Sequence, residues 1–140
     1  MTPFFDIARG EIHLKQGLSL RAGLTSQQLA QAGLAFIREF DMQTGWCFKT
    51  ASAHTQSGQA IQLSLGFEHD HLKRLSFGFV NDPSLDGNAL HKAHVDFLVH
   101  ELGTPNSQND RQSIYRFVWG EITAEQDPRG GGSYVIVSWA

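Results

Sequence analysis

Apolar and polar positions alternate most regularly in the middle of the chain. Ile61, Leu63, Leu65 and Phe67 alternate with Gln62, Ser64, Gly66 and Glu68. After Glu68-His-Asp-His71 the alternation resumes, with Leu75, Phe77 and Phe79 opposite Ser76 and Gly78. One apolar face and one small or polar face is the pattern of an antiparallel hairpin covered on one side only. Thr44–Thr55, with Trp46 and Phe48, predicts a strand before it, joined through a turn at Ser57-Gly58. Glu11–Lys15 alternates over five positions and predicts a short strand near the start. Near the end, Ser113–Ile122 and Tyr134–Ala140 are rich in β-branched and aromatic residues and flank a Pro/Gly turn, so a final hairpin carries the last residues into a sheet.

Two stretches change to helical spacing. Thr25 is placed to cap a helix, Gln28 completes a capping box, and Leu24 and Leu29 occupy hydrophobic-staple positions. Leu29, Ala32, Phe36, Ile37 and Phe40 then extend the predicted helix over 26–39, with Gly33 either weakening it or permitting close packing. Asn81–Gly87 is turn-rich, and Asn88 caps a second helix striped by Leu90, His94, Phe97, Leu98 and Leu102. Gly103 and Pro105 stop it, and Thr104–Gln112 reads as a loop. The order is strand, helix, three strands, helix, two strands. It predicts an α+β fold: one antiparallel sheet of five to six strands with both helices on one face, in a single domain over 1–140.

The 140 residues are 41% hydrophobic, enough for one core, and the formal net charge is −3. The 11 Lys and Arg residues are scattered, which argues against nucleic acid as a partner. No stretch approaches the roughly 18 apolar residues of a membrane span, and the first residues lack a signal-peptide pattern. A cytoplasmic protein is expected. The one cysteine, Cys47, cannot form an internal disulfide. Its neighbours Trp46 and Phe48 predict a buried, unreactive thiol with a raised pKa.

Candidate chemistry is sparse. Seven histidines invite a metal reading, with His69 and His71 at a hairpin tip and His91 and His94 three apart on a helix. A solvated turn accounts better for the first pair, and a hydrogen-bonded core histidine is the commoner reading of His94. The serines lack a nucleophile elbow, so no catalytic residue or cofactor is predicted. Arg129-Gly-Gly-Gly-Ser133 precedes a strand rather than a helix, which removes the phosphate-loop reading. Glu121, Glu125 and Asp127, with Asp110 near them, form an acidic edge suited to steering a basic partner. Tyr115, Phe117 and Trp119 share one face of a strand whose other face carries Val118 and Ile122. Such a strand is either buried on both sides or offers one face to a partner. Tyr115, Phe117, Trp119, Glu121, Glu125, Asp127 and Arg129 are therefore the candidate partner-binding residues.

The segments Phe5-Asp-Ile, Gly10-Glu-Ile-His-Leu and Gly17-Leu-Ser-Leu resemble small bacterial proteins encoded beside polymorphic toxins, as does Trp119-Gly-Glu-Ile with Asp127-Pro-Arg-Gly-Gly-Gly-Ser-Tyr-Val-Ile-Val. Those proteins are immunity partners that bind and neutralise a toxin domain. The resemblance implies a non-catalytic protein, monomeric or homodimeric, that occludes a cognate toxin or effector domain. It transfers no catalytic or binding residue. Two other classes stay open: a secretion chaperone or adaptor for an effector, and a small metal-binding enzyme using the histidines.

Overall fold

The computed structural model describes residues 3–80, 87–129 and 132–140. The predicted loop over 81–86 and two glycines of the Arg129–Ser133 run lie outside the described residues. In chain order the elements are β1 (Phe5–Asp6), β2 (Glu11–His13), β3 (Ser19–Leu20), α1 (Ser26–Gln31), β4 (Phe36–Asp41), β5 (Trp46–His54), β6 (Ala60–Glu68), β7 (His71–Phe79), α2 (Gly87–Leu102), β8 (Ser107–Asn109), β9 (Gln112–Phe117), β10 (Gly120–Gln126) and β11 (Ser133–Trp139). The fold is α+β and every pairing is antiparallel, but there are two sheets. Strands β1-β2-β3 form a small one, and β4-β5-β6-β7-β11-β10-β9-β8 form an eight-stranded one.

Three differences from the sequence reading account for the larger sheet. The predicted first helix ends at Gln31, because Gly33 takes a left-handed conformation (φ +104°) and turns the chain. Its N-terminus is as expected: Thr25 Oγ1 accepts from the Gln28 amide and Gln28 Oε1 accepts from the Thr25 amide. Beyond Gly33, Phe36–Asp41 pairs with β5 as an edge strand. Second, the apolar run from Ser113 to Ile122 is itself a hairpin. Phe117 ends β9, Val118 and Trp119 turn, and Gly120 begins β10. Period-two alternation therefore does not run through Val118, which is fully exposed at the tip. Third, part of the predicted 104–112 loop pairs with β9 as β8.

The alternation of β6 and β7 is borne out, with Phe79 at the end of β7 only partly buried. Ile61, Leu63, Leu65, Phe67, Leu75 and Phe77 face inward and are buried, joined by Val135, Val137, Ile122 and Ala124 from β11 and β10. Apart from Ala124, each such side chain contributes roughly 1.5–3 kcal/mol by leaving water. Helix α2 lies on this face against β7, β10 and β11, with Leu98 buried. Phe97 meets Phe4, Phe5, Phe77 and Phe79, so the small sheet is packed through its phenylalanines onto the helix and the large sheet. Two indoles then fix the β1–β2 turn: Trp119 Nε1 donates to the Ile7 carbonyl and Trp139 Nε1 to the Gly10 carbonyl, both at 2.7 Å. Gly10, at φ +68°, lies so close beneath Trp119 that a Cβ there would be 2.7 Å from the ring.

Candidate functional site

The side of the large sheet away from α2 carries no helix among the described residues. Pairing aligns Phe40, Phe48, Gly66, Arg74, Ser138, Glu121 and Arg116 in one row across seven strands. This outer face is aromatic at one end and charged at the other. Trp46 and Phe48, two apart on β5, project together and stack with centroids 5.9 Å apart and planes 14° apart. Gly66 makes room for them, because a Cβ would lie 2.9 Å from Phe48. Phe40 stands beside Phe48 and is 65% exposed.

The next row, Thr50, Ser64 and Ser76, is made of small hydroxyl residues. They floor a groove of about 370 Å³ bounded by Val80 and Tyr134. Thr50 Oγ1 is buried in the groove with no hydrogen-bond partner among the described residues. A buried hydroxyl left unpaired is destabilising by roughly 1–3 kcal/mol and is satisfied by any group that reaches it. None of the ion pairs among the described residues, Lys49–Glu39 and Lys92–Asp96, involves the arginines or glutamates of the outer face. Arg38, Arg74, Arg116 and Glu121 thus keep their charges available to a partner.

Of the candidate partner-binding residues, Tyr115 lies in the core, 3% exposed, and its hydroxyl donates to the Gly103 carbonyl at 2.6 Å. Phe117 and Trp119 stack at 5.0 Å and are half-buried on either side of the Val118 tip. Phe117, two residues after Tyr115 on β9, shares its strand face, whereas Trp119, expected on that face too, lies in the turn beyond the strand. Glu121 and Glu125 both project on the outer face, and Glu125 Oε1 accepts from Gln112 Nε2 at 2.9 Å. Asp127 closes a turn by accepting from the Arg129 amide. The aromatic residues at the other end of the face, Phe40, Trp46 and Phe48, were missed as a group. The period-two pattern of β5 held the signal, but Phe40 was assigned to a helix.

The histidines sort by their neighbours. His94 is fully buried on α2, where its stripe position had suggested a core histidine. Its Nε2 accepts from the Phe79 amide at 3.1 Å, so Nδ1 carries the proton and donates to Ser133 Oγ at 2.9 Å. That leaves the Ser133 hydroxyl to donate to His91 Nδ1 at 3.3 Å. Burial, and secondarily His91, push the His94 pKa down to about 4, and burial lowers that of His91. In this tautomer His94 cannot take the Ser133 proton, and Ser133 is itself buried, so the trio does not make an activated nucleophile. His69 and His71 flank a tight turn with positive φ at His69 and Asp70. There Asp70 Oδ1 accepts from Ser26 Oγ at 2.8 Å, and His71 Nδ1 lies 3.0 Å from the Gly23 carbonyl. A different trio, Asp6, Glu11 and His13, brings one possible metal-ligand atom from each residue within 4.8 Å of the others.

Cys47 is half-buried, not buried as expected, because β4 covers it only as an edge strand. Its thiol donates to Glu39 Oε1 at 3.4 Å. Desolvation, with the Glu39 carboxylate beside it, raises the thiol pKa and keeps it a weak nucleophile. No described helix is long and apolar enough to cross a membrane.

No family model and no curated protein matches the chain. Its fold is similar to that of a chain in the solved structure of Rhs1-CT in complex with its cognate immunity protein RhsI1. The likeness covers 96% of this chain and 85% of that one, with a TM-score of 0.63 and 16% sequence identity. At that identity the likeness shows the fold.

Proposed function

We propose that this is a non-catalytic immunity protein that neutralises a cognate toxin domain by stoichiometric binding. The observation that carries the reading is the fold shared over nearly the whole chain with a chain of a toxin–immunity complex. The outer sheet face supplies what such binding requires. Phe40, Trp46, Phe48 and Tyr134 are aromatic anchors of the type that dominates interface energetics, beside Arg38 and Arg74, which form no ion pair among the described residues. Glu121 and Glu125 lie on the same face, with Asp127 and Arg129 at the end of their hairpin, and serve to steer encounter. Phe117 and Trp119 contribute through the exposed tip they flank. Tyr115 acts from beneath, by holding β9 to the end of α2.

The test is growth rescue followed by binding. The C-terminal domain of the neighbouring gene's product is expressed in bacteria with and without this protein, and the purified pair is titrated calorimetrically. Restored growth with a 1:1 complex is expected. Alanine at Glu121, Glu125 and Asp127 together slows association at low salt, and alanine at Phe40 and Phe48 accelerates dissociation. Toxicity that persists with the folded protein present overturns the reading.

A further inference from the structure

We infer that Asp6, Glu11 and His13 form a binding site for a divalent transition-metal ion, zinc by its donor set, on the small N-terminal sheet. Glu11 and His13 lie two apart on β2 and so project from one side of the strand. Asp6 is the register partner of Glu11 across the β1–β2 pair. The other side of the same pair is Phe5 against Ile12, both buried in the core. The hairpin thus sorts its residues into an apolar side and a ligand side.

The charges on that ligand side call for a cation. Two carboxylates directly opposite each other in an antiparallel pair repel. Among the described residues neither Asp6 nor Glu11 forms an ion pair. All three residues are half-buried, where the repulsion is less screened than at a fully exposed site. One imidazole nitrogen and two carboxylate oxygens are a mixed set suited to zinc, with water completing the coordination. The possible ligand atoms lie within 4.8 Å of one another. Ligands around a tetrahedral zinc are roughly 3.4 Å apart, a distance set by bonds of about 2.0–2.1 Å and reached here by side-chain rotation.

The surroundings are prepared for the role. His13 Nδ1 lies 2.8 Å from Ser19 Oγ on β3, which orients the ring and leaves Nε2 for the ion, the arrangement usual for a ligating histidine. The His13 amide donates to the Phe4 carbonyl, and Gln56 Nε2 donates to the carbonyls of His13 and Leu14. Trp119 and Trp139 hold the turn that joins the ligand strands. The carrier backbone is thereby fixed to the main sheet before any ion arrives.

The inference is independent of the immunity reading and is tested without a toxin. Untagged full-length protein, stripped with chelator, is titrated with zinc chloride alone by calorimetry, and with cobalt chloride by visible absorption. One zinc per chain is expected, at micromolar affinity or tighter, with a cobalt spectrum of low-symmetry four- or five-coordination. Asp6→Asn keeps the oxygen that accepts from the Arg9 amide and removes the charge. It and Glu11→Gln should each weaken zinc at least tenfold, while the double substitution of His69 and His71 by Ala leaves it unchanged. His13→Ala should abolish binding; if it fails to fold, the two carboxylate variants decide alone. Absence of stoichiometric zinc in the wild type, or affinity unchanged in Asp6→Asn and Glu11→Gln, overturns the site.

Discussion

His94 on α2 and His13 on β2 have the same side chain in opposite settings. Around His94 every polar atom is committed: a backbone amide on one nitrogen, a serine hydroxyl on the other, and a second histidine beyond it. Around His13 one nitrogen is committed to Ser19, and two carboxylates stand near the ring with no ion pair to a described residue. A satisfied buried histidine holds a core together and resists charging. A half-satisfied one beside acids is a ligand in waiting. Burial separates them less than the balance of donors, acceptors and charge.

The sharpest break of the comparison is His94→Ala. It opens a cavity at a fully buried position, leaves the Phe79 amide without a partner and leaves the Ser133 hydroxyl with His91 alone. A loss of about 3 kcal/mol or more is expected in urea denaturation. His13→Ala, half-buried at the edge of the small sheet, should cost less than half of that in metal-free protein.

Acid gives the second largest effect. Burial pushes the His94 pKa down from the ordinary 6.5 to about 4, so the unfolded chain takes up the proton first. Between those values the unfolded state binds more protons, and stability rises with pH. The contribution is complete above about 6.5 and disappears as pH falls toward 4. A shift of that size corresponds to on the order of 3 kcal/mol as an upper bound. His91 is shifted in the same direction and adds to it. Denaturation midpoints measured across this window should drop as the pH is lowered in the wild type and much less in His94→Gln.

The legibility of the two clusters in the sequence differs for a physical reason. His94 falls on the stripe of its own helix, and a local periodicity announces it. Asp6, Glu11 and His13 are joined by a strand pairing that leaves a weak mark, since β1 is two residues long. Glu11–Lys15 is readable as a strand, but its partner is not. The same limit explains β4: Phe36, Ile37 and Phe40 suit a helical stripe as well as an edge strand, and the left-handed Gly33 decides between them. The β6–β7 hairpin, the capping box at Thr25 and the stop at Gly103 rest on local chemistry and are all present. The eight-strand order depends on β7 meeting β11, a contact between distant segments that no local pattern encodes.

A smaller effect sharpens the view of His13 by loosening its support. Trp119→Phe removes the indole donor to the Ile7 carbonyl and retains most of the packing over Gly10. About 1 kcal/mol of stability should be lost, the usual net value of one hydrogen bond. The loss should be local, with faster amide exchange over 5–13 and none at α2. Equal loss of protection at both places would mean that the small sheet and the helix open as one unit.

The smallest expected effect on stability is also the most selective for function. Phe40 is an exposed edge-strand residue whose aromatic neighbours lie to one side, so Phe40→Ala should change the unfolding free energy by no more than about 0.5 kcal/mol. A side chain with little part in folding that stands beside the stacked Trp46 and Phe48 is suited to an anchor for a partner. If the outer face binds the toxin, the same substitution should weaken the complex by about 1–2 kcal/mol, roughly tenfold, with most of the change in dissociation. Binding unchanged in Phe40→Ala but lost in the Glu121, Glu125 and Asp127 variant would move the interface to the acidic end of the face. The reverse result would fix it at β4 and β5.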